Sequence, residues 1–302
     1  MELMGEVEKQ KLIQKAATLS LVLTIVVVAV KLVGAWLSGS ISVLGEGIQS
    51  LLDIFMAAVA LYAVRVSSAP PDIDHPSGHG KAELLASALQ MILAIASAGW
   101  IIWQAGLRLM HPEPIKPDWG LLTMIYAVGS NFIVIGILKK VVSLTGSEMM
   151  ASERSHLFSD TWSTIGVIVG LLLFRLTNLE WIDPATAILF TGIGASMAFR
   201  KLHDVLHPLM DGSLPSNEVQ EVQKTLDTHP EVRGYHKLRT RFTGNVRMVD
   251  LHVQLDDDLT FIEAHDLAEE IEKEISFALG GAVVTIHYEP FEFEKEHQAK
   301  EH

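Results

Sequence analysis

Four residues of ligand-forming type stand in two i,i+4 pairs inside apolar stretches: Gln49 and Asp53 in ISVLGEGIQSLLDIF, and His156 and Asp160 in SERSHLFSDTWSTIGV. A four-residue step puts both members of a pair on one helix face, so two such helices can turn four donors toward one point. Imidazole and carboxylate groups suit a borderline divalent transition metal. The chain has no cysteine, so any metal must be held by His, carboxylate and amide groups. Gln49 offers only a neutral amide oxygen. That leaves the set one negative charge short of three carboxylates plus His, and with a weaker donor.

The elements that must position these residues follow from the hydropathy pattern. Half of the 302 residues are hydrophobic (49%), only 7% are aromatic, and the mean hydropathy is +0.31. Leu84 to Leu107 and Gly120 to Leu138 carry no charge, and each is long enough to cross about 30 Å of hydrocarbon at about 1.5 Å per residue. Ala16 to Leu37, interrupted by Lys31, together with Ile41 to Val64, Thr161 to Phe174 and Ala185 to Phe199, bring the expected spans to six. The first apolar run begins late and lacks a small-residue cleavage pattern, so it is expected to remain as a helix. Lys9, Lys11 and Lys15 before the first span, Arg65 and Lys81 after the second, and Lys139 and Lys140 after the fourth mark the predicted cytoplasmic side, where both termini then lie.

Depth arithmetic on that topology aligns the two pairs. If the second span starts at the outer face near Ile41, Gln49 lies about 12 Å in and Asp53 about 18 Å in. If the fifth starts at the inner face near Met150, His156 and Asp160 lie about 21 Å and about 15 Å from the outer face. All four share one layer near mid-membrane, where ionisable groups are costly and mark function. Glu46 lies one turn outward and Glu153 one turn inward. Both are candidate vestibule carboxylates, and for Glu46 an ion pair with Lys31 is an equal alternative. A metal needs ionised Asp160 and neutral His156, so cation and protons compete, and alternating exposure of such a site yields proton-coupled antiport.

Residues 207–302 hold 20 Asp and Glu against 9 Lys and Arg, most of the chain's net charge of −13. Nucleic acid is an improbable partner for such a surface, whereas dissolved cations are drawn to it. RKLHDVLHPLMDGSLP, with two prolines and a DG pair, divides a six-helix membrane domain, 1–206, from a second domain, 207–302. SNEVQEVQKTLDTH reads as a helix capped by its Ser, and His236 to Phe242 with Val246 to Leu255 as a hairpin around TGN. Thr260 to Leu279 follows as an amphipathic helix and Ala282 to Tyr288 as a strand. The fold class expected is therefore an α-helical membrane protein with six transmembrane helices and a C-terminal α+β domain of ferredoxin-like αββαβ order. The tail after Phe293 is expected to fray. No HExxH metalloprotease motif and no GxxxxGK[ST] loop occurs, which argues against an enzyme and against ATP as the driving force. A metal sensor without transport is the competing reading, and it has no need of a mid-membrane tetrad.

These residues resemble the cation diffusion facilitator family, and within it the bacterial ferrous-iron/zinc-efflux-like branch. The resemblance spans the whole chain through GSISVLGEGIQSLLD, HPSGHGKAELLAS, HLFSD and, in the tail, YHKLRTR, VDLHVQL, EAHDLAEEI and VTIHYEP. It implies a homodimeric, proton-coupled exporter in the cell (inner) membrane, with the transport site at Gln49, Asp53, His156 and Asp160. The implied cation is Zn2+ or Fe2+ ahead of Mn2+, Co2+, Ni2+ and Cd2+. Gln49 departs from the pattern, since this branch has Asp there, zinc-type relatives His and manganese-type relatives Asn. The resemblance further implies a loop site of Asp72, His75 and His79, and an ion pair of Lys81 with Asp211 as a dimer interlock. It also implies a dinuclear cytoplasmic site of His236, His252, His265, His287 and Glu289, with Glu289 where Asp is usual. His203, His207, His229, His297 and His302 match no family position and are expected at the surface.

Overall fold

In a computed structural model that describes residues 6–244 and 246–292, six long helices come first: α1 Glu6–Ser38, α2 Ile41–Ser67, α3 Lys81–Met110, α4 Pro117–Thr145, α5 Glu148–Thr177 and α6 Ile182–Leu209. Each is long and apolar enough to cross a membrane. Asn245 of the TGN turn, His297, His302 and the tail after Phe293 lie outside the described residues. Each helix outruns its apolar run because flanking polar residues still satisfy their backbone within the helix. The fifth differs most: it begins at Glu148, behind a Ser147 hydroxyl that accepts from the Met150 N–H, so His156 and Asp160 stand on its third and fourth turns.

Two compact units emerge, one of residues up to Ala58 with Gln90–Arg200, the other of Val59–Leu89 with the chain from Lys201 onward. In the first unit Ala16, Leu138, Val141 and Leu157 join α1, α4 and α5, while Ala35, Val43, Met124, Val167 and Leu171 add α2 to them. Ile41, Ile101, Ala105 and Ala187 pack α2, α3 and α6. Large apolar side chains such as Leu21, Phe55 and Phe132 point outward, as hydrocarbon-facing residues do.

The second unit carries α7 Ser216–Asp227, β1 Val232–Thr243, β2 Val246–Leu255, α8 Phe261–Ala278 and β3 Val283–Pro290. The sheet order is β1-β2-β3, with β1 antiparallel and β3 parallel to the central β2. This is the α+β order expected from sequence. Val249, Leu251, Val253 and Leu255 are buried and share a core with Val222 and Leu226 of α7 and Ile271 and Ile275 of α8. The period of two turns Asp250, His252 and Gln254 to the opposite face. Thr260 closes α8 with a reciprocal capping box to Glu263. Ser216 is not the cap expected of it: it is already helical, and Pro215 precedes it without a side-chain bond. β1 begins four residues earlier than expected and is irregular between His236 and Arg239, where Lys237 has a φ of 51°.

Candidate metal centres

α2 and α5 bring Asp53, His156 and Asp160 together, with one ligand atom from each lying within 4.8 Å of the other two. His156 Nδ1 is 3.3 Å from Asp160 Oδ2, and the Thr164 hydroxyl donates to the Asp160 carbonyl at 3.0 Å. Gln49 stands one turn before Asp53 with its side chain exposed. Two carboxylates and an imidazole converging between apolar helices can bind a divalent cation and bring its charge into balance.

Glu46 does not stand free as a vestibule carboxylate. It is 7% exposed, accepts from Lys31 Nζ at 2.7 Å, from the Ser163 hydroxyl at 2.5 Å and from the Thr164 hydroxyl at 2.7 Å. Burial selects the ion pair, because a carboxylate at that depth without a partner would be prohibitive. Glu153 is half-buried and accepts from the Ser20 hydroxyl at 3.1 Å.

Asp72, His75 and His79 form a second cluster, in the loop between α2 and α3. The His75 N–H donates to Asp72 Oδ1 at 2.6 Å, and His79 Nε2 is 3.3 Å from Asp72 Oδ2. That N–H bond, with the two imidazoles beside it, holds the Asp72 carboxyl below its ordinary range. His79 Nδ1 is buried without a hydrogen-bond partner. A few residues on, Lys81 Nζ bonds Asp211 Oδ1 at 2.8 Å and draws its carboxyl below the usual range. Asp211 adopts φ 57°, a left-handed conformation that Asp tolerates.

The third cluster lies on the sheet face turned away from the helices. His236 pairs with His252 across β1 and β2, and His252 with His287 across β2 and β3, so three imidazoles stand abreast. Glu289 reaches back to them: its carboxylate is 2.5 Å from His252 Nδ1, 3.4 Å from His236 Nε2 and 3.5 Å from His287 Nε2. Among the described residues, buried Glu289 Oε2 and His236 Nε2 have no hydrogen-bond partner, which suits atoms that can bind a cation. His265 does not join them within one chain. It sits on α8 beside Glu269 at 3.5 Å, half exposed.

A family model described as the cation efflux transmembrane domain matches residues 17–210, and one described as the cytoplasmic domain of cation efflux proteins matches 214–291. The cation-efflux pump FieF of Yersinia enterocolitica is 32% identical over 286 residues, and that of Cronobacter sakazakii 30%, each alignment covering 93% of both chains. The chain belongs to the cation diffusion facilitator family. It is a cation-efflux transporter with a cytoplasmic-type dimerisation domain after its membrane helices, and its relatives are named as pumps. The metal-bound C-terminal domain of the CzcD transporter from Thermotoga maritima is also similar, at 27% identity and a TM-score of 0.24, covering 24% of this chain and 87% of that one.

Within this cation diffusion facilitator two polar groups escaped sequence reading. Asp183, at the start of α6 and 2% exposed, accepts from the Ser40 and Ser42 hydroxyls at 2.6 and 2.5 Å and from the Ile41 N–H at 2.8 Å. It thereby caps the N-terminus of α2 from another helix. An acid in a first turn looks like a cap for its own helix, and partners more than 140 residues away leave no local signal. Asn131 of α4 bonds the Thr161 hydroxyl at 3.3 Å beside Asp160. His229 was expected at the surface but is tucked against Glu274 at 3.1 Å.

Proposed function

We propose that this transporter exports a divalent transition-metal cation from the cytoplasm in exchange for protons, through a four-donor site of Gln49, Asp53, His156 and Asp160. The observation that carries the proposal is the convergence of Asp53, His156 and Asp160 between two membrane-length helices. The efflux direction is supported by relatives named as cation-efflux pumps. Zn2+ or Fe2+ leads Mn2+, Co2+, Ni2+ and Cd2+, because an N/O donor set with one imidazole favours borderline ions without excluding the others.

Each of the three ionisable ligands plays two parts. Asp53 and Asp160 supply the charge that draws the cation out of water, and each can carry a proton when the cation has gone. His156 binds the metal only as neutral imidazole, through one ring nitrogen, and takes a proton otherwise. Gln49 completes the coordination without charge. Proton and cation thus exclude one another at the same atoms, and a helix movement that opens the site first to one side and then to the other makes the exchange obligatory.

The protein works as a homodimer in the inner membrane, both termini cytoplasmic, with residues 1–206 spanning the bilayer and 207–302 forming the metal-binding dimerisation domain. In that domain His236, His252, His287 and Glu289 hold metal, and His265 on α8 is free to reach a site shared with the second subunit. Asp72, His75 and His79 hold another ion, and Lys81 with Asp211 ties the loop end of α3 to the start of that domain. Glu153 lies on the approach to the transport site. Flux into proteoliposomes tests the proposal: a metal sensor with the same ligands would move no ion, and Asp160→Asn should stop movement in a transporter.

A further inference from the structure

Two charges beside the transport site take no part in the exchange just described. Lys31 and Glu46 form an ion pair 2% and 7% exposed, held by groups from three helices: Lys31 comes from α1, Glu46 and Ser50 from α2, Ser163 and Thr164 from α5. Lys31 Nζ donates to the Ser50 and Thr164 hydroxyls, each at 3.2 Å. Ser50 is three residues before Asp53, and the Thr164 hydroxyl lies within bonding distance of both Glu46 and the Asp160 carbonyl. The pair is therefore built into both walls of the cation site.

That arrangement matters because Gln49 leaves only two carboxylates to face the cation. In a poorly screened interior a single unpaired charge nearby changes ion affinity greatly, whereas a paired one changes it little. We propose that Lys31 and Glu46 form a charge-balance element beside the transport site: each cancels the other's pull on the cation, so that loss of either member alone changes how tightly the site holds its cation and loss of both does not. This rests on the transport-site reading above. Both are positioning residues, since neither supplies a ligand atom to the cluster of Asp53, His156 and Asp160.

A purely mechanical cross-link between helices would weaken transport whichever partner were removed. Charge balance demands opposite signs. In proteoliposomes, with whichever of zinc, ferrous iron, manganese or cobalt the wild type carries fastest, Lys31→Met exposes the site to an uncompensated Glu46. It should lower the KM for flux about tenfold and slow turnover as release becomes limiting. Glu46→Gln leaves Lys31 unopposed and should raise KM about tenfold. The double variant Lys31→Met/Glu46→Met keeps the site neutral and buries no charge, so it should fold even if a single variant does not, with KM within about threefold of wild type. Shifts of the two single variants in the same direction overturn the inference, as does a double variant whose KM rises tenfold. Flux retained by Asp160→Asn would instead overturn the site reading itself, and this inference with it.

Discussion

At the scale of single residues, Gln49 is the uncharged member of the proposed four-donor site. An amide oxygen cannot supply charge to a divalent ion. Gln49→Asp should therefore shift the order in which competing metals inhibit uptake, with overall affinity rising; an unchanged order in a competition flux assay removes Gln49 from selectivity. Asp160 provides the sharper test. Asp160→Ala should reduce flux by about a hundredfold or more while leaving gel-filtration behaviour intact, because a ligand outweighs the outer-shell groups whose loss costs about 10–100-fold in affinity. The convergence of Asp160 with Asp53 and His156 was legible from sequence, because an i,i+4 step inside an apolar run states its own geometry. Asp183 was not, and neither was the choice between vestibule and ion pair for Glu46. Their partners come from other helices, and only packing brings Ser163, Thr164 and Lys31 to Glu46.

At the scale of elements, the six helices and the αββαβ order could be read directly, because hydropathy and period-two burial are local properties. Their close approaches could not. A Cβ built on Gly34 of α1 would lie 2.7 Å from Thr123 Cβ of α4, so a glycine there lets two helices touch. Gly34→Ala should destabilise the protein by about 1–3 kcal/mol through overpacking, read as a lower unfolding midpoint in detergent, and an unchanged midpoint would show that α4 yields freely. In the second unit the Arg247 guanidinium grips both Glu218 oxygens, at 2.8 and 2.9 Å, and holds that carboxyl below its ordinary range. A depressed folded value stabilises above the unfolded value of about 4.3 and loses that contribution as pH falls through the lower one. Glu218→Gln should thus melt earlier than wild type at pH 7, and the gap should narrow as pH falls below the ordinary carboxylate range; a gap that does not narrow with falling pH would assign the loss to packing instead of charge.

At the scale of the whole molecule, charge is distributed by task. The ionisable groups buried deepest in the apolar helices are the Lys31–Glu46 pair and the Asp183 cap, beside the cluster of Asp53, His156 and Asp160, while the C-terminal domain carries a large acidic excess. Within the second unit, a Cβ on Gly80 of the HPSGHGK loop would lie 2.8 Å from Gly244 Cα in the β1–β2 turn, and the next residue, Lys81, bonds Asp211. The specificity of that loop motif is thus steric as well as electrostatic, which residue types alone did not disclose. If protons and cation share Asp53, His156 and Asp160, the direction of an imposed pH gradient must dictate the direction of net cation movement. Protons run from the acidic to the alkaline side, so the cation must run the other way. Vesicles with an acidic lumen should accumulate it, those with an alkaline lumen should lose it, and dissipating the gradient should end both. Cation movement indifferent to the gradient would leave a facilitated channel through the same ligands, and the shared-site exchange would be wrong even with Asp160 still essential.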